Sequence, residues 1–263
     1  MWTKADRLCG ILVKGRMSEG SKGIVMLRFV CTPIGNLEDM SPRAIRVLRE
    51  ADVIACEDTR RTRALLTHFE IPRPRDLVSY RDPHEARTAE YLLGKLEAGL
   101  QVAICTDGGA PGISDPGYRI ARLAAQAGYP MEAVPGASAV TAAIMVSGLP
   151  SASFTFKGFP PRKSGGLLRF FADEAAREHT LVYFESPYRV GKSLAAAHEA
   201  LGNREAAVCI ELTKVHERVV RGYLADLADQ FQDAKVKGEV TIVIAGNHPA
   251  FAKAAEVASA PAL

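Results

Sequence analysis

Gln101-Val102-Ala103-Ile104-Cys105 runs directly into Thr106-Asp107-Gly108-Gly109-Ala110-Pro111-Gly112-Ile113-Ser114-Asp115-Pro116-Gly117. A short apolar run, closed by turn residues and followed by a helix-period stretch, reads as a β-strand handing over to a crossover helix. The loop holds four glycines and two prolines in twelve residues, more than an ordinary turn needs. Small residues there let backbone N–H and C=O groups come close to a ligand. Asp115-Pro116 reads as an N-cap followed by proline at the first helical position, opening a helix over 116–127 that Gly128 closes.

The same alternation extends outward. Apolar, β-rich runs at 25–31, 52–56 and 131–134 each precede a helix-period stretch, and Ser41-Pro42 opens a helix through Glu50. Strands alternating with helices imply a mostly parallel sheet. Gly148-Leu149-Pro150-Ser151-Ala152-Ser153 then interrupts the chain. Beyond it, strands are expected near 153–157, 180–184, 206–212 and 239–245, and helices near 165–177, 188–201 and 223–233. The expected fold class is α/β, with one domain over 26–150 and a second over 151–246. Residues 1–25 read as a flexible N-terminal tail, with a start near Met26 as the alternative, and 247–263 as a C-terminal tail.

Composition sets the outer bounds. The chain has 263 residues, 48% hydrophobic and 24% charged, enough to bury a core and too apolar for disorder. No apolar run approaches the roughly 20 residues of a membrane helix, so no membrane partner is expected. A net charge of +3 permits nucleic acid without requiring it. Cys9, Cys31, Cys56, Cys105 and Cys209 form no Cys-x-x-Cys pair, which argues against a zinc ribbon and suits a reducing, cytoplasmic setting. Gly191-Lys192-Ser193 lacks the earlier glycine of a phosphate-binding loop, since that position is Ser186. His84-Glu85, His198-Glu199 and His216-Glu217 each lack the second histidine of a zincin helix. Metal, nicotinamide and serine-nucleophile chemistry are all disfavoured.

Loops at strand ends remain. Thr32-Pro33-Ile34-Gly35-Asn36-Leu37 and Pro135-Gly136-Ala137-Ser138-Ala139 join the glycine-rich loop above, and in open α/β sheets ligands lie beyond the C-terminal strand ends. One such loop is an ordinary tight turn; three favour a shared site. Cys56-Glu57-Asp58-Thr59-Arg60-Arg61-Thr62-Arg63 sets acids beside arginines, as a phosphate-bearing substrate would need. A helix capped by Asp58, with its arginines in water, explains it equally well. Four charged clusters close the second half: Lys157 to Lys163, Phe184 to Arg189, Glu211 to Glu217, and Lys237 to Glu239. Together they suggest a substrate face.

At these residues the sequence resembles the tetrapyrrole methylase superfamily of S-adenosylmethionine-dependent methyltransferases, and within it the ribosomal RNA small-subunit methyltransferases. The carrying motifs are Thr-Pro-Ile-Gly-Asn-Leu at 32–37, Glu-Asp-Thr-Arg at 57–60, Ser-Asp-Pro-Gly-Tyr at 114–118, Glu-Ser-Pro at 185–187, Glu-Leu-Thr-Lys at 211–214 and Lys-Gly-Glu at 237–239. The resemblance implies 2′-O-methylation of a cytidine in the decoding region of 16S rRNA, within the small subunit, by a homodimer. It also implies S-adenosylmethionine in a cleft between two domains. Motif by motif, it points to Pro33, Gly35, Asp107, Gly109, Ala110, Ile113, Ser138, Ala139 and Phe184 as cofactor positions, with Thr213 and Glu239 to Thr241 as looser matches. This chain departs from the usual pattern at Gly108, Ala110, Gly112, Ala137 and Tyr188. A tetrapyrrole or precorrin C-methyltransferase is the alternative within the superfamily.

Methyl transfer to a hydroxyl oxygen is an in-line displacement that rewards positioning, and the weak nucleophile benefits from a general base. Glu57, Asp58 and Glu185 are the base candidates, with ion pairing to Arg60 or Arg189 as the competing role. Lys214 is the candidate for lowering the hydroxyl pKa electrostatically. Arg60, Arg61 and Lys163 are the candidates for phosphate contact.

Overall fold

The computed structural model describes residues 24–81 and 83–253. The expected N-terminal tail therefore lies outside the described residues, apart from its last two. In the first half the elements are β1 (Leu27–Val30), α1 (Pro42–Glu50), β2 (Val53–Cys56), α2 (Thr59–His68), β3 (Asp76–Ser79), α3 (Glu85–Glu97), β4 (Val102–Ile104), α4 (Tyr118–Gln126) and β5 (Met131–Val134). The strands form one sheet in the order β3-β2-β4-β1-β5, and every pairing is parallel.

Alternation decides the two faces. Val53, Ala55, Val102 and Ile104 pack with α3 and α4, whereas Ile54, Cys56 and Ala103 pack with α1 and α2. A parallel sheet is covered on both faces, so its strands read as continuous apolar runs. α1 opens as expected, with Ser41 Oγ accepting from the Ala44 N–H at 3.1 Å. α4 does not. It begins at Tyr118 behind Gly117, and Asp115 caps nothing. Gly128, at φ 77°, closes α4 as expected.

The second half holds α5 (Ala139–Ser147), β6 (Phe154–Phe156), α6 (Ser164–Ala172), β7 (Thr180–Glu185), α7 (Val190–Leu201), β8 (Glu205–Ile210), β9 (Arg218–Tyr223), α8 (Leu224–Phe231) and β10 (Val240–Ile244). Its sheet runs β6-β7-β10-β8-β9, with β6 and β7 parallel and every other pair antiparallel. Leu181, Tyr183, Val208, Ile210 and Ile242 meet α6, α7 and α8 on one face. Val182, Ala207, Cys209 and Val243 meet Val140, Ala143 and Ile144 of α5 on the other.

Because α5 packs on this second sheet, the chain divides into compact units at Ala137/Ser138, ahead of the boundary expected at 150. Ile34–Asn36 also belongs to the second unit, although it follows β1 of the first. The expected C-terminal tail is structured at its start: Pro249–Phe251 forms a 3-10 turn, and Arg204 bridges Ala252.

Candidate functional site

Parallel pairing puts every C-terminal strand end of the first sheet at the same edge. Neighbouring β1 and β4 send their helices to opposite faces, which opens the sheet edge between them. Their loops are bound together. The Thr32 N–H donates to the Gly109 carbonyl at 3.0 Å, and the Gly109 N–H donates back at 2.9 Å. Thr32 Oγ1 donates to the Thr106 carbonyl at 3.0 Å. The bridge is antiparallel, so Pro33 runs back across from Gly108. Further along this loop, Ser114 is held at φ 63°, a left-handed backbone that a non-glycine residue adopts only under constraint.

Acids gather at that loop. Asp107 Oδ1 accepts from the Asp58 N–H at 3.1 Å, and Asp107 pairs with Arg61 at 3.4 Å. Asp58 accepts from the Arg60 N–H at 2.8 Å and binds its guanidinium at 2.7 Å. The Asp58 carboxylate is therefore both helix cap and clamp, and the arginine holds its pKa below the ordinary range. Burial and the neighbouring Asp107 push Glu57 up. Asp115 is pushed to about 7 by burial and then by Glu57 and Asp107. It forms no hydrogen bond or ion pair among the described residues, and it lines a depression of about 400 Å³ with Ser114, Tyr118, Arg119 and Glu85. Reading Asp115 as a cap hid this acid; its nearness to two other carboxylates depends on the loop's path.

The second sheet assembles the other half of the candidates. β6 and β7 are parallel, Glu185 at the end of β7 faces Val240 at the start of β10, and Val240 faces Ile210 at the end of β8. All four charged clusters of the second half thus fall at one edge of one sheet. Phe184 pairs directly with Thr241 in the ladder. Lys214 Nζ binds Glu211 at 2.7 Å and Glu239 at 3.1 Å. Burial works against this ammonium, but the two carboxylates outweigh it and raise its pKa. Lys214 in turn holds Glu211 below the usual carboxylate range.

Two glycines make this packing possible. A Cβ on Gly35 would overlap Lys214 Cγ and lie 2.9 Å from Thr213 Oγ1, so only glycine lets the first loop lie against this pair. Gly238, at φ 86°, lies under the Glu211 carboxylate, which also accepts from the Glu239 N–H at 2.8 Å. Glu211 and Thr213 themselves have φ 53° and 66°. Strained residues of this kind cluster where structure is committed to a ligand or a switch. The buried Thr213 Oγ1 has no hydrogen-bond partner among the described residues, as a group reserved for a ligand would be.

The remaining sites fall as follows. Ser138 starts α5 without a side-chain cap bond, with Ala139 as the first helical residue. The Glu185 side chain is 0% exposed, accepts from the Ser186 N–H at 2.7 Å and pairs with Arg189 at 3.5 Å. These partners hold the carboxylate in place by Oε1, while its buried Oε2 has no hydrogen-bond partner among the described residues. Arg60 and Arg61 are 85% and 68% exposed, and Lys163 is exposed before α6. Glu211 stands in a charged cluster and a motif read from the sequence but was given no role there; its position between Lys214 and Gly238 follows from the register of β8 against β10.

Comparison with known proteins agrees with this architecture. The family pattern described as Tetrapyrrole (Corrin/Porphyrin) Methylases matches residues 26–228. A protein of Halalkalibacterium halodurans named ribosomal RNA small subunit methyltransferase I is 41% identical over 221 residues, covering 84% of this chain and 76% of its own. A Mycobacterium tuberculosis protein of the same name is 45% identical over 219 residues, covering 83% and 76%. Among solved structures, uroporphyrin-III C-methyltransferase of Thermus thermophilus, complexed with S-adenosyl homocysteine, superposes with a TM-score of 0.58 at 21% identity, covering 84% of this chain and 97% of that one. The chain thus belongs to the tetrapyrrole methylase family and, within it, to the ribosomal RNA small subunit methyltransferases I.

Proposed function

We propose that this chain transfers a methyl group from S-adenosylmethionine to the ribose 2′-oxygen of a cytidine in the decoding region of 16S rRNA, acting as a homodimer on the small subunit. The observation that carries the reading is the 41–45% identity, across more than four-fifths of the chain, to relatives named for small-subunit rRNA methylation. The glycine cradle at Gly35 and the unpartnered Thr213 hydroxyl support a cofactor site at the same motifs.

The small residues and the Thr213 hydroxyl, unpartnered among the described residues, fit a cofactor cradle. In the first unit Pro33, Gly109, Ala110 and Ile113 would line it, with Asp107 at the mouth of the loop. In the second unit Gly35, Ser138, Ala139, Phe184, Thr213, Glu239 and Thr241 would line it. When bound, S-adenosylmethionine supplies a methyl group on a positively charged sulfur. Glu57 is the best placed of the base candidates, since Asp58 is committed to Arg60 and Glu185 is fully buried. Its raised pKa makes it a stronger proton acceptor for the ribose hydroxyl when ionised. Lys214 is a fixed cation that favours the developing alkoxide electrostatically. Arg60, Arg61 and Lys163 meet phosphates and position the RNA.

The test is transfer of labelled methyl groups into unmodified small subunits, naked 16S rRNA and a uroporphyrinogen-type tetrapyrrole, with nucleoside analysis of the RNA. Label in 2′-O-methylcytidine is expected, and the ratio of subunit to naked RNA identifies the substrate particle. Label confined to the tetrapyrrole would overturn the reading. Sedimentation of the protein alone tests the dimer.

A further inference from the structure

Two aromatic side chains of the second unit are left unused by its packing. Tyr188 is 92% exposed and Phe159 is 60% exposed. Phe159 borders a small aromatic group, 5.5 Å from the Phe184 ring, which in turn lies 4.8 Å from Phe156. The two exposed rings sit on adjoining loops. Phe159 follows β6 and Tyr188 follows β7, and these strands are parallel neighbours. The Arg189 guanidinium ties the loops together, donating to the carbonyls of Pro160 at 3.3 Å and Pro161 at 2.8 Å. The Phe184 N–H adds a bond to the Gly158 carbonyl at 2.9 Å. The rings are thus presented on a braced surface.

The charge around them is uncompensated. Lys157 is neutralised by Glu174, and Arg189 by Glu185. Arg162, Lys163 and Lys192 are exposed and form no ion pair among the described residues. Aromatic faces interleaved with unpaired cations match unstacked bases joined by phosphates. A duplex hides its bases and offers little to such rings. A second copy of this chain fits poorly, because a two-fold contact would bring the same three cations against their own equivalents.

We propose that Phe159 and Tyr188, with Arg162, Lys163 and Lys192, form a platform for single-stranded RNA, seating bases on the rings and phosphates on the cations. This rests on the reading of the chain as an rRNA methyltransferase, and extends it by assigning base contact to two residues in neither the cofactor nor the proton-transfer set.

Fluorescence anisotropy of the full chain with a labelled single-stranded RNA 12-mer, and with a duplex of matched composition, tests the platform. Tyr188→Ala and Phe159→Ala are each expected to weaken single-strand binding about tenfold and leave duplex binding nearly unchanged. Tyr188→Phe, which keeps the ring, should bind within about twofold of wild type. Changing Arg162 and Lys163 together to Gln should lower the salt slope by about 1.4, at roughly 0.7 per phosphate contact, whereas the aromatic variants keep it. Wild-type affinity in Tyr188→Ala overturns the platform, and the exposure of Tyr188 makes a folding defect an unsuitable explanation, checked by thermal melting. Loss of self-association in Tyr188→Ala with RNA affinity intact overturns it in favour of a contact between copies. Methyl transfer by the same proteins separates the two readings. Labelled subunits with no single-strand binding overturn the platform alone, and label in no RNA at all overturns both.

Discussion

Replacing Asp115 by Asn should stabilise the protein, and more so as pH rises. An ordinary aspartate titrates near 3.9, and in the folded chain burial and the facing Glu57 and Asp107 bring Asp115 to about 7. Between those values the folded state holds a proton that the unfolded state has lost. Folding stability therefore falls as pH climbs from about 4 to about 7, and the full penalty is present above 7. Three pH units at about 1.36 kcal/mol each give about 4 kcal/mol for a fully buried group. Asp115 is only half-buried, so solvent screening reduces this to about 1–2 kcal/mol. Asn removes the charge at nearly constant shape, and no hydrogen bond or ion pair among the described residues is lost. Urea unfolding of wild type and Asp115→Asn at pH 5.5 and 8.5 measures the difference. A gain of about 1–2 kcal/mol at pH 8.5, roughly halved at 5.5, is expected. An equal gain at both pH values, or a loss at 8.5, would refute the electrostatic argument.

Three further outcomes follow from the same geometry. Gly35→Ala forces a methyl group onto Lys214 Cγ, and a rearrangement costing about 1–3 kcal/mol should appear as at least about a fivefold loss of kcat, with weaker cofactor binding by calorimetry. Lys214→Met leaves Glu211 and Glu239 without their cation. Because Lys214 depresses the Glu211 pKa, the stability it gives is present at neutral pH and lost as acid protonates Glu211, so the variant should melt lower at pH 7, with the gap narrowing as pH falls below the ordinary glutamate range. Glu57→Gln should cut single-turnover methyl transfer about 10²–10⁴-fold, whereas Glu185→Gln should retain it; the reverse order would move the base to β7.

Much of the first unit was legible because parallel strands buried on both faces leave unbroken apolar runs. β3 was not, since Asp76-Leu77-Val78-Ser79 has only two apolar residues and lies at the sheet edge. β9 escaped for a similar reason: Arg218 and Arg221 interrupt an edge strand whose pairing comes from β8. The direction of the second sheet was also hidden. Local pattern marks a strand, but the antiparallel run of β7, β10 and β8 is set by where their connections return. At the candidate site, glycines and charges at strand ends could be read directly. Contacts that need register, such as Glu211 over Gly238, could not. The Asp115-Pro116 signal was locally sound for a cap, and failed because the loop turns once more, through Gly117, before the helix begins.

The brief excursion of Ile34–Asn36 has a consequence for how the gene can be cut. The chain changes unit after Pro33, again after Asn36, and a third time after Ala137. A protease nicking the connection at 137/138 would sever one of three covalent ties and leave the halves joined. A fragment starting at Ser138 would fold, if at all, without the glycine on which Thr213 and Lys214 rest. Domain swaps between relatives that exchange sequence only at that late junction would mismatch this small insert with its host. A functional chimera must carry residues 34–36 together with the second half.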